Sequence, residues 1–469
     1  MLGADAGRLV FVSGATEGIQ TAVLSALSAL RHAVHRPALL LYGATEHKAV
    51  PQALQHWNAL LGLGLQLLPI PVGRDGRHDL AWLREHAPQA GLVCTMAANN
   101  ETGVVSDLDG IAAVLADSPA LWLVDGVQAL GKLPLRLAER GVDYAPFSGH
   151  KLYAPKGIGL LYVRDGAPFT PLMAGGGQEG ALRAGTENMP GIAALGAVLA
   201  ALEEGRTSRD AATLATFRER LADALQQAFP ELVFNAPAAL CLPTTLSFAV
   251  PGVSARLLLD LFDAAELRVS GGSACGAARA QPSEVLAAMG LPAWQVASSV
   301  RLSFGPLADA AFIDEACARI RACGDALRDA APQVASTPAP EDAADMACSA
   351  AAPAPVELGH EALRALAAAH RGLVLLDVRE PHEQRLGRAP DLGVAVRREA
   401  VALSSLPNAL PRWLASSRDM PIVCFCRSGK RSALAAQALR RLGHHQVWSL
   451  AGGLALWPQA VADDAALAI

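Results

Sequence analysis

The sequence predicts an α/β protein: a large unit on a mostly parallel sheet, then a linker, then a smaller α/β unit. Three observations carry that prediction. Short apolar runs alternate with helical patterns from residue 9 to residue 124. Residues 331–355 repeat Pro, Ala, Ser and Asp without periodicity, the composition of an extended or disordered linker. Beyond them a shorter strand–helix alternation begins again, in a chain of 469 residues that exceeds one ordinary core.

The first strands read at 9–12, 38–42, 65–70, 92–95 and 121–124, with helices at 21–30, 49–60, 80–86 and 108–115 between them. Such alternation calls for a parallel sheet covered on both faces, with ligands at the carboxyl ends of its strands. Helical patterns dominate 191–227, strand-like runs follow at 244–250 and 267–270, and a helix at 310–327 closes the unit. The division is therefore 1–330, a linker at 331–356, and a final unit at 357–469. That unit reads as a helix at 358–369, strands at 373–377 and 422–425, and a helix at 432–442, with 387–403 fitting only loosely.

Composition excludes several classes. Hydrophobic residues make up 52% of the chain, but much of this is alanine, and the apolar run 60–68 is broken by Gln66 and closed by Pro69. That is far short of a spanning helix, so no membrane association is expected. The first residues lack a cationic leader, so no signal peptide is evident and the cytoplasm is the expected compartment. Eight cysteines without a CxxC pair make neither a disulfide scaffold nor a structural zinc site, and no metal is expected. A net charge of −5 without a basic tract argues against direct nucleic-acid binding.

The chemistry concentrates around two cysteines and one lysine. Cys275 sits among small residues at 270–278, a loop that offers access and mobility. Cys426 opens a short cationic loop, Arg427, Ser428, Gly429, Lys430 and Arg431, that runs into a helix. Positive charge, loop amides and the helix dipole there favour a thiolate. The chain has five lysines: Lys48, Lys132, Lys151, Lys156 and Lys430. Lys151 lies in Ser148-Gly149-His150-Lys151, after an apolar segment, where an amine can form a Schiff base with an aldehyde cofactor. Pyridoxal phosphate also needs an acid beside its ring nitrogen, and Asp125 ends a strand-like run where a buried carboxylate can serve. Gln128 is placed to contact the ring hydroxyl. Ser148 and His150 are phosphate donors, and Gly14, Ala15 and Thr16 offer amides and a hydroxyl at a helix N-terminus. Each piece alone is equally a turn, a cap or a surface loop; their combination in this order is specific.

Taken together, residues 8–325 resemble the NifS/IscS-like pyridoxal-phosphate cysteine desulfurases, through SGATE (13–17), EHKAV (46–50), NNETG (99–103), DGVQ (125–128), SGHK (148–151), GGGQEGALRAGTEN (175–188), GSAC (272–275) and RLSFG (301–305). The resemblance implies a fold-type-I transferase, with a large-sheet domain and a small α+β domain, working as a homodimer on L-cysteine. In it Lys151 carries the cofactor, Asp125 pairs with the pyridinium, Gln128 meets the ring oxygen, and His47 stacks on the ring. Thr16, Ser148 and His150 hold the phosphate, joined by Thr186 of a second subunit. Asn100 and Arg301 orient the substrate, and Cys275 attacks its sulfur and carries the persulfide. Family members usually open with a DNNATT-like segment, and nothing like it precedes Arg8. Gly18, Ile19 and Gln20 stand where paired asparagines are usual.

Residues 357–463 resemble rhodanese domains: DVREPHE (377–383) and LAGGLALW (450–457) flank the Cys426 loop in the family order. That implies a persulfide on Cys426, with Arg431 closing the short sulfurtransferase version of the loop. Asp377 and Arg379 read as structural, Cys424 as a buried thiol, and Cys348 as an exposed linker cysteine.

The expected function is a fused enzyme. The first domain releases L-alanine from L-cysteine, and Cys426 accepts the sulfur for acceptor proteins, in pathways such as iron–sulfur cluster assembly. About 25 flexible residues span roughly 25–30 Å r.m.s. and give an effective concentration on the order of millimolar. Two alternatives stand beside it: an impaired dimeric scaffold carrying an active rhodanese unit, and a selenocysteine lyase.

Overall fold

The computed structural model describes residues 2–33, 37–205, 207–271, 282–334, 357–370, 372–386, 389–406, 409, 412–413 and 417–457. Cys275, Cys348 and residues 335–356 of the expected linker lie outside these. The chain divides into two compact units, Met1–Leu259 with Val269–Cys317, and Asp260–Arg268 with Ala318–Ile469.

In the first unit the elements run β1 (Gly7–Val12), α1 (Ala15–Arg31), β2 (Leu39–Gly43), α2 (Ala49–Leu60), β3 (Gln66–Ile70), α3 (Leu80–His86), β4 (Ala90–Met96), α4 (Leu108–Leu115), β5 (Leu121–Asp125), β6 (Tyr144–Ser148) and β7 (Gly159–Arg164). They form a seven-stranded sheet of order β1-β7-β6-β5-β4-β2-β3. Strands β2 to β6 are mutually parallel, whereas β7 is antiparallel to both β6 and β1. The expected mostly parallel sheet is thus present, with an antiparallel edge.

Its near-continuous apolar strands follow from burial on both faces. Leu39, Leu41, Val93, Trp122 and Val124 pack on one side with Leu83 of α3 and Ile111 of α4. Their chain neighbours Leu40, Leu92, Cys94 and Leu123 pack on the other, with Ile19 and Ala22 of α1 and Val50 and Ala53 of α2. The two-residue period of a strand makes that division.

The remainder of this unit adds α5 (Met189–Glu204), α6 (Ala211–Ala228), β8 (Val233–Phe234), β9 (Thr245–Ala249), the start of α7 (Ala255–Ala264), β10 (Ser270–Gly271), α8 (Glu284–Ala288), α9 (Ala293–Ser298), β11 (Val300–Ser303) and the start of α10 (Ala310–Val334). Its four strands form an antiparallel sheet of order β10-β11-β9-β8. This is the expected small α+β part.

The second unit holds β12 (Glu357–Leu358), α11 (His360–Ala369), β13 (Val374–Asp377), α12 (Pro381–Leu386), β14 (Arg397–Ala400), β15 (Ile422–Phe425), α13 (Lys430–Arg441) and β16 (Val447–Leu450). All five strands are parallel, in the order β12-β16-β15-β13-β14. Among the described residues no helix is long and apolar enough to cross a membrane.

Candidate active site

Strands β2, β4, β5 and β6 end on the same edge of the sheet, and the loops that leave them bring EHKAV, NNETG, DGVQ and SGHK together. Asn99 ties two of these loops. Its Nδ2 donates to Thr45 O at 3.1 Å, while its Oδ1 accepts from the Glu101 and Thr102 amides at 2.8 and 2.9 Å. Asp125 is buried at the end of β5, and its Oδ1 accepts from the Val127 amide at 3.0 Å. Burial raises its carboxyl above the ordinary value, and the Val127 amide and the charges of His47 and Lys151 pull it back. His47, in the loop after β2, and Lys151, in the short 3-10 helix Gly149–Leu152 after β6, are exposed, and the charge of each bears on that buried acid.

Ser148 joins β6 to α1: its Oγ accepts from the Ala15 amide at 2.9 Å. Gly14 precedes α1 without a capping side chain. The amides of the first turn therefore have no intrahelical partner, and a helix N-terminus of this kind favours an anion. Close approach is required here. A Cβ on Gly159 would sit 2.3 Å from Phe147 O and 2.8 Å from the Gly14 Cα. Thr16 and His150 are exposed beside this turn. Lys151 and Lys156 press the His150 imidazole further below its ordinary value, after burial.

Arg301 comes from β11, and its Nη1 donates to Asn100 O at 2.6 Å. Ser270 of β10 is paired with Arg301 in the backbone register. Thr186 lies exposed on the 175–188 loop.

Sequence reasoning missed Lys132. Its Nζ donates to Gln128 Oε1 at 3.1 Å, and burial, with Lys151 close by, pushes its amine down to about 8. A lysine four residues after a glutamine in a turn carried no sequence signal of that role. Glu46, buried where the charge of Asp125 bears on it, and His78, buried against Gly43, were missed as well.

A buried acid, an exposed lysine and imidazole around it, and a helix N-terminus without a capping side chain fit pyridoxal phosphate, whose ring nitrogen, aldehyde and phosphate need those three environments.

In the second unit the thiol of Cys426 is 0% exposed, against the accessibility expected for it. The residue packs with Val374, Leu376, Ala435 and Ala436, while LAGGLALW closes on the backbone of the loop. Gly452 and Gly453 adopt φ of +66° and +58°, and a Cβ on Gly453 would lie 2.3 Å from Cys426 O. That turn donates the Leu454 and Ala455 amides to the Cys426 and Arg427 carbonyls at 2.9 and 2.8 Å.

Cys426 Sγ accepts from the Ser432 amide at 3.4 Å and lies 3.5 Å from Ser432 Oγ. Ser432 is the third residue of α13, where amides face out of the helix. The Ser432 hydroxyl also meets Ser449 Oγ at 2.9 Å.

Arg431 is spent elsewhere: both its terminal nitrogens bind Glu383, at 2.5 and 2.6 Å. Burial pushes the Glu383 carboxyl up, and the guanidinium more than offsets it, leaving the acid below its usual range. Arg427 pairs with Asp263 at 2.5 Å, while Ser428 and Lys430 are exposed. Asp377 and Arg379 form a buried bidentate pair under the loop, with the guanidinium 5.6 Å from the Phe425 ring centre. Cys424, on β15, is fully buried, and burial followed by the neighbouring Cys426 pushes its thiol up.

The aminotransferase class-V family matches residues 1–315, and the rhodanese-like domain matches residues 360–460. Among similar chains is cysteine desulfurase 2 of Trichormus variabilis, 36% identical over 318 residues, which cover 67% of this chain and 77% of that one. A cysteine desulfurase of Gluconacetobacter diazotrophicus is 37% identical over 308 residues, 65% of this chain and 75% of the other. Among solved structures, a NifS-like protein superposes with a TM-score of 0.59 at 29% identity, over 68% of this chain and 82% of its own. DndA from Streptomyces lividans does so with a TM-score of 0.54 at 31% identity, over 64% and 83%. The chain belongs to the aminotransferase class-V family, and is thus a pyridoxal-phosphate-dependent enzyme, with a rhodanese-like domain at its C-terminal end. Within that family its relatives are the NifS-like cysteine desulfurases.

Proposed function

We propose that the chain is a cysteine desulfurase that passes sulfur from its first domain to its own rhodanese domain, with working boundaries of 1–330, 331–356 and 357–469. The observation that carries this reading is the buried Asp125 with the charges of His47 and Lys151 bearing on it, beside which Arg301 is held on the Asn100 carbonyl of the NNETG loop. Pyridoxal phosphate, when bound, supplies the electron sink for the substrate carbon.

The chain's own residues do the rest. Asp125 holds the pyridinium, and Gln128, with its amide oxygen engaged by Lys132, meets the ring oxygen. His47 lies over the ring. Ala15, Thr16, Ser148 and His150 take the phosphate, and Thr186 of a second copy completes it in a homodimer. Lys151 Nζ would hold the aldehyde and would move the α-proton. Arg301 takes the carboxylate of L-cysteine as a charge-assisted pair beside Asn100. The Cys275 thiolate attacks the substrate sulfur. An S–S bond forms as the C–S bond breaks, the electron pair stays with the carbon, and protonation releases L-alanine.

Transfer onward is redox-neutral. The Cys426 thiolate attacks the outer sulfur of the Cys275 persulfide, and the Cys275 thiolate leaves. In the small loop the Ser432 amide steadies the anionic sulfur, and an acceptor protein, as in iron–sulfur assembly, then takes it.

Intact-mass and peptide mass spectrometry after exposure to L-cysteine test the relay. Wild type is expected to carry extra sulfur on Cys275 and Cys426. Cys426→Ser is expected to make alanine at the wild-type rate under a reducing agent, with extra sulfur on Cys275 alone. Sulfur retained on the rhodanese domain of that variant rejects the relay.

A further inference from the structure

Glu46 and His78 are buried polar side chains to which the reading above gives no task. Glu46 precedes His47 in the loop after β2. It is 8% exposed, and neither carboxyl oxygen has a hydrogen-bond partner. The Met96 backbone lowers its carboxyl without making a hydrogen bond to either oxygen. His78, between β3 and α3, is 7% exposed, and neither ring nitrogen has a partner.

The two side chains converge on Gly43, the last residue of β2. A Cβ there would lie 2.4 Å from His78 Nε2 and 2.9 Å from Glu46 Oε1. Only the absence of a side chain at that strand end lets the imidazole and the carboxyl face one another.

Asp125 is the second buried acid in this region, and its charge bears on Glu46. Two carboxyls buried so near each other do not both ionise, because the first charge raises the cost of the second. The choice between them follows from their surroundings. Asp125 has the Val127 amide and the charges of His47 and Lys151. Around Glu46 stand Asp125 from β5, the thiol of Cys94 from β4 and the His78 ring, none of which supplies a cation. Burial pushes His78 down to about 4, so its ring is neutral and offers an acceptor nitrogen. A protonated carboxyl carries the matching O–H donor, which one buried water can relay across the gap.

We propose that Glu46 is held as the neutral acid facing His78, and that this pair is a positioning element that leaves Asp125 as the single ionised carboxyl available to a bound pyridinium ring. The assignment rests on the cofactor reading above and deepens it.

Infrared difference spectroscopy of the full-length holoenzyme, with and without ¹³C-glutamate labelling, tests it. At pH 8 a carboxylic-acid C=O band that shifts on labelling is expected in wild type and is expected to be absent in Glu46→Gln. The Gln variant keeps a neutral group of the same shape, so its cofactor affinity is expected to stay within about twofold of wild type. Glu46→Ala leaves His78 and Asp125 facing a void, and is expected to loosen the cofactor by about tenfold, the worth of one hydrogen bond at a charged site. A labelled acid band missing at pH 8 while the cofactor is bound overturns the proposal. So does a Gln variant that loses the cofactor as far as the Ala variant. Should wild type bind no cofactor at all, the reading of the previous subsection fails instead, and the labelled band still reports on Glu46 in that chain. If the Ala variant does not fold, the band and the Gln variant decide alone.

Discussion

At the carboxyl edge of the large sheet, Asp125 and Glu46 are buried with no arginine or lysine ion pair on either among the described residues. In the small unit the buried acids are clamped: Glu383 by both terminal nitrogens of Arg431, Asp377 by the fork of Arg379. The first arrangement leaves Asp125 to the Val127 amide and the charges of His47 and Lys151, the environment our proposal gives to a cationic ring nitrogen. The second cancels its own charges, so the sulfur of Cys426 faces a backbone amide rather than a guanidinium. One chain therefore handles sulfur by two electrostatic strategies, an acid awaiting a cation and a neutralised frame presenting amides.

The largest expected effect breaks the first strategy. Lys151→Ala should abolish covalent retention of the cofactor and lower alanine formation by about three orders of magnitude. Visible absorbance after gel filtration and alanine release from L-cysteine measure the two. Lys132 sharpens the comparison, since its amine is pushed down to about 8 and it sits close to Lys151. Borohydride trapping followed by peptide mapping should find the adduct on residue 151. An adduct on residue 132 would move the catalytic amine by one lysine and break the assignment.

The next effect breaks the second strategy. Glu383→Ala leaves the Arg431 guanidinium half-buried without its partner, which should cost about 3–5 kcal/mol. Hydrogen exchange across 422–432 reads the loss locally in the full chain. The pH dependence has a fixed sign. The Glu383 carboxyl is held below its ordinary value in the folded state, so its contribution is complete above about pH 4.3 and fades as pH falls further. The variant should lose that part of the acid sensitivity. A variant as protected as wild type at pH 7 would mean that the clamp does not hold the loop.

Much of the large sheet was legible because strands buried on both faces read as plain apolar runs. The strands at 38–42 and 121–124 were located to within a residue or two of β2 and β5. β6 and β7 were harder: Pro146 interrupts the first and the SGHK loop follows it, so the antiparallel edge carried no distinct period. Motif residues at strand ends were legible as well, since Asp125 and Ser148 sit where turn chemistry and a charged or polar residue coincide. Glu46 and His78 were not, because what joins them is the space left by Gly43, a three-dimensional fact with no sequence period. The burial of Cys426 escaped for a similar reason. The cationic loop was plain, but Cys426 packs with Val374 and Leu376 of β13 and Ala435 and Ala436 of α13, and the turn at Gly452 and Gly453 closes on its carbonyl.

The smallest effect tests whether amides alone carry the second site. Ser432 presents two groups to Cys426 Sγ, its backbone N–H at 3.4 Å and its hydroxyl at 3.5 Å, and that hydroxyl is shared with the Gly429 carbonyl and Ser449 Oγ. Ser432→Ala removes the hydroxyl and keeps the amide. If the amide does most of the work, the loss is that of one weak, shared hydrogen bond, about 1 kcal/mol, or roughly fivefold in the rate at which iodoacetamide alkylates Cys426. Ser449→Ala should do less, since it touches sulfur only through Ser432. A hundredfold fall in Ser432→Ala would instead assign the hydroxyl as the principal donor, and the contrast between an amide frame and a waiting carboxylate would have to be redrawn around a side chain.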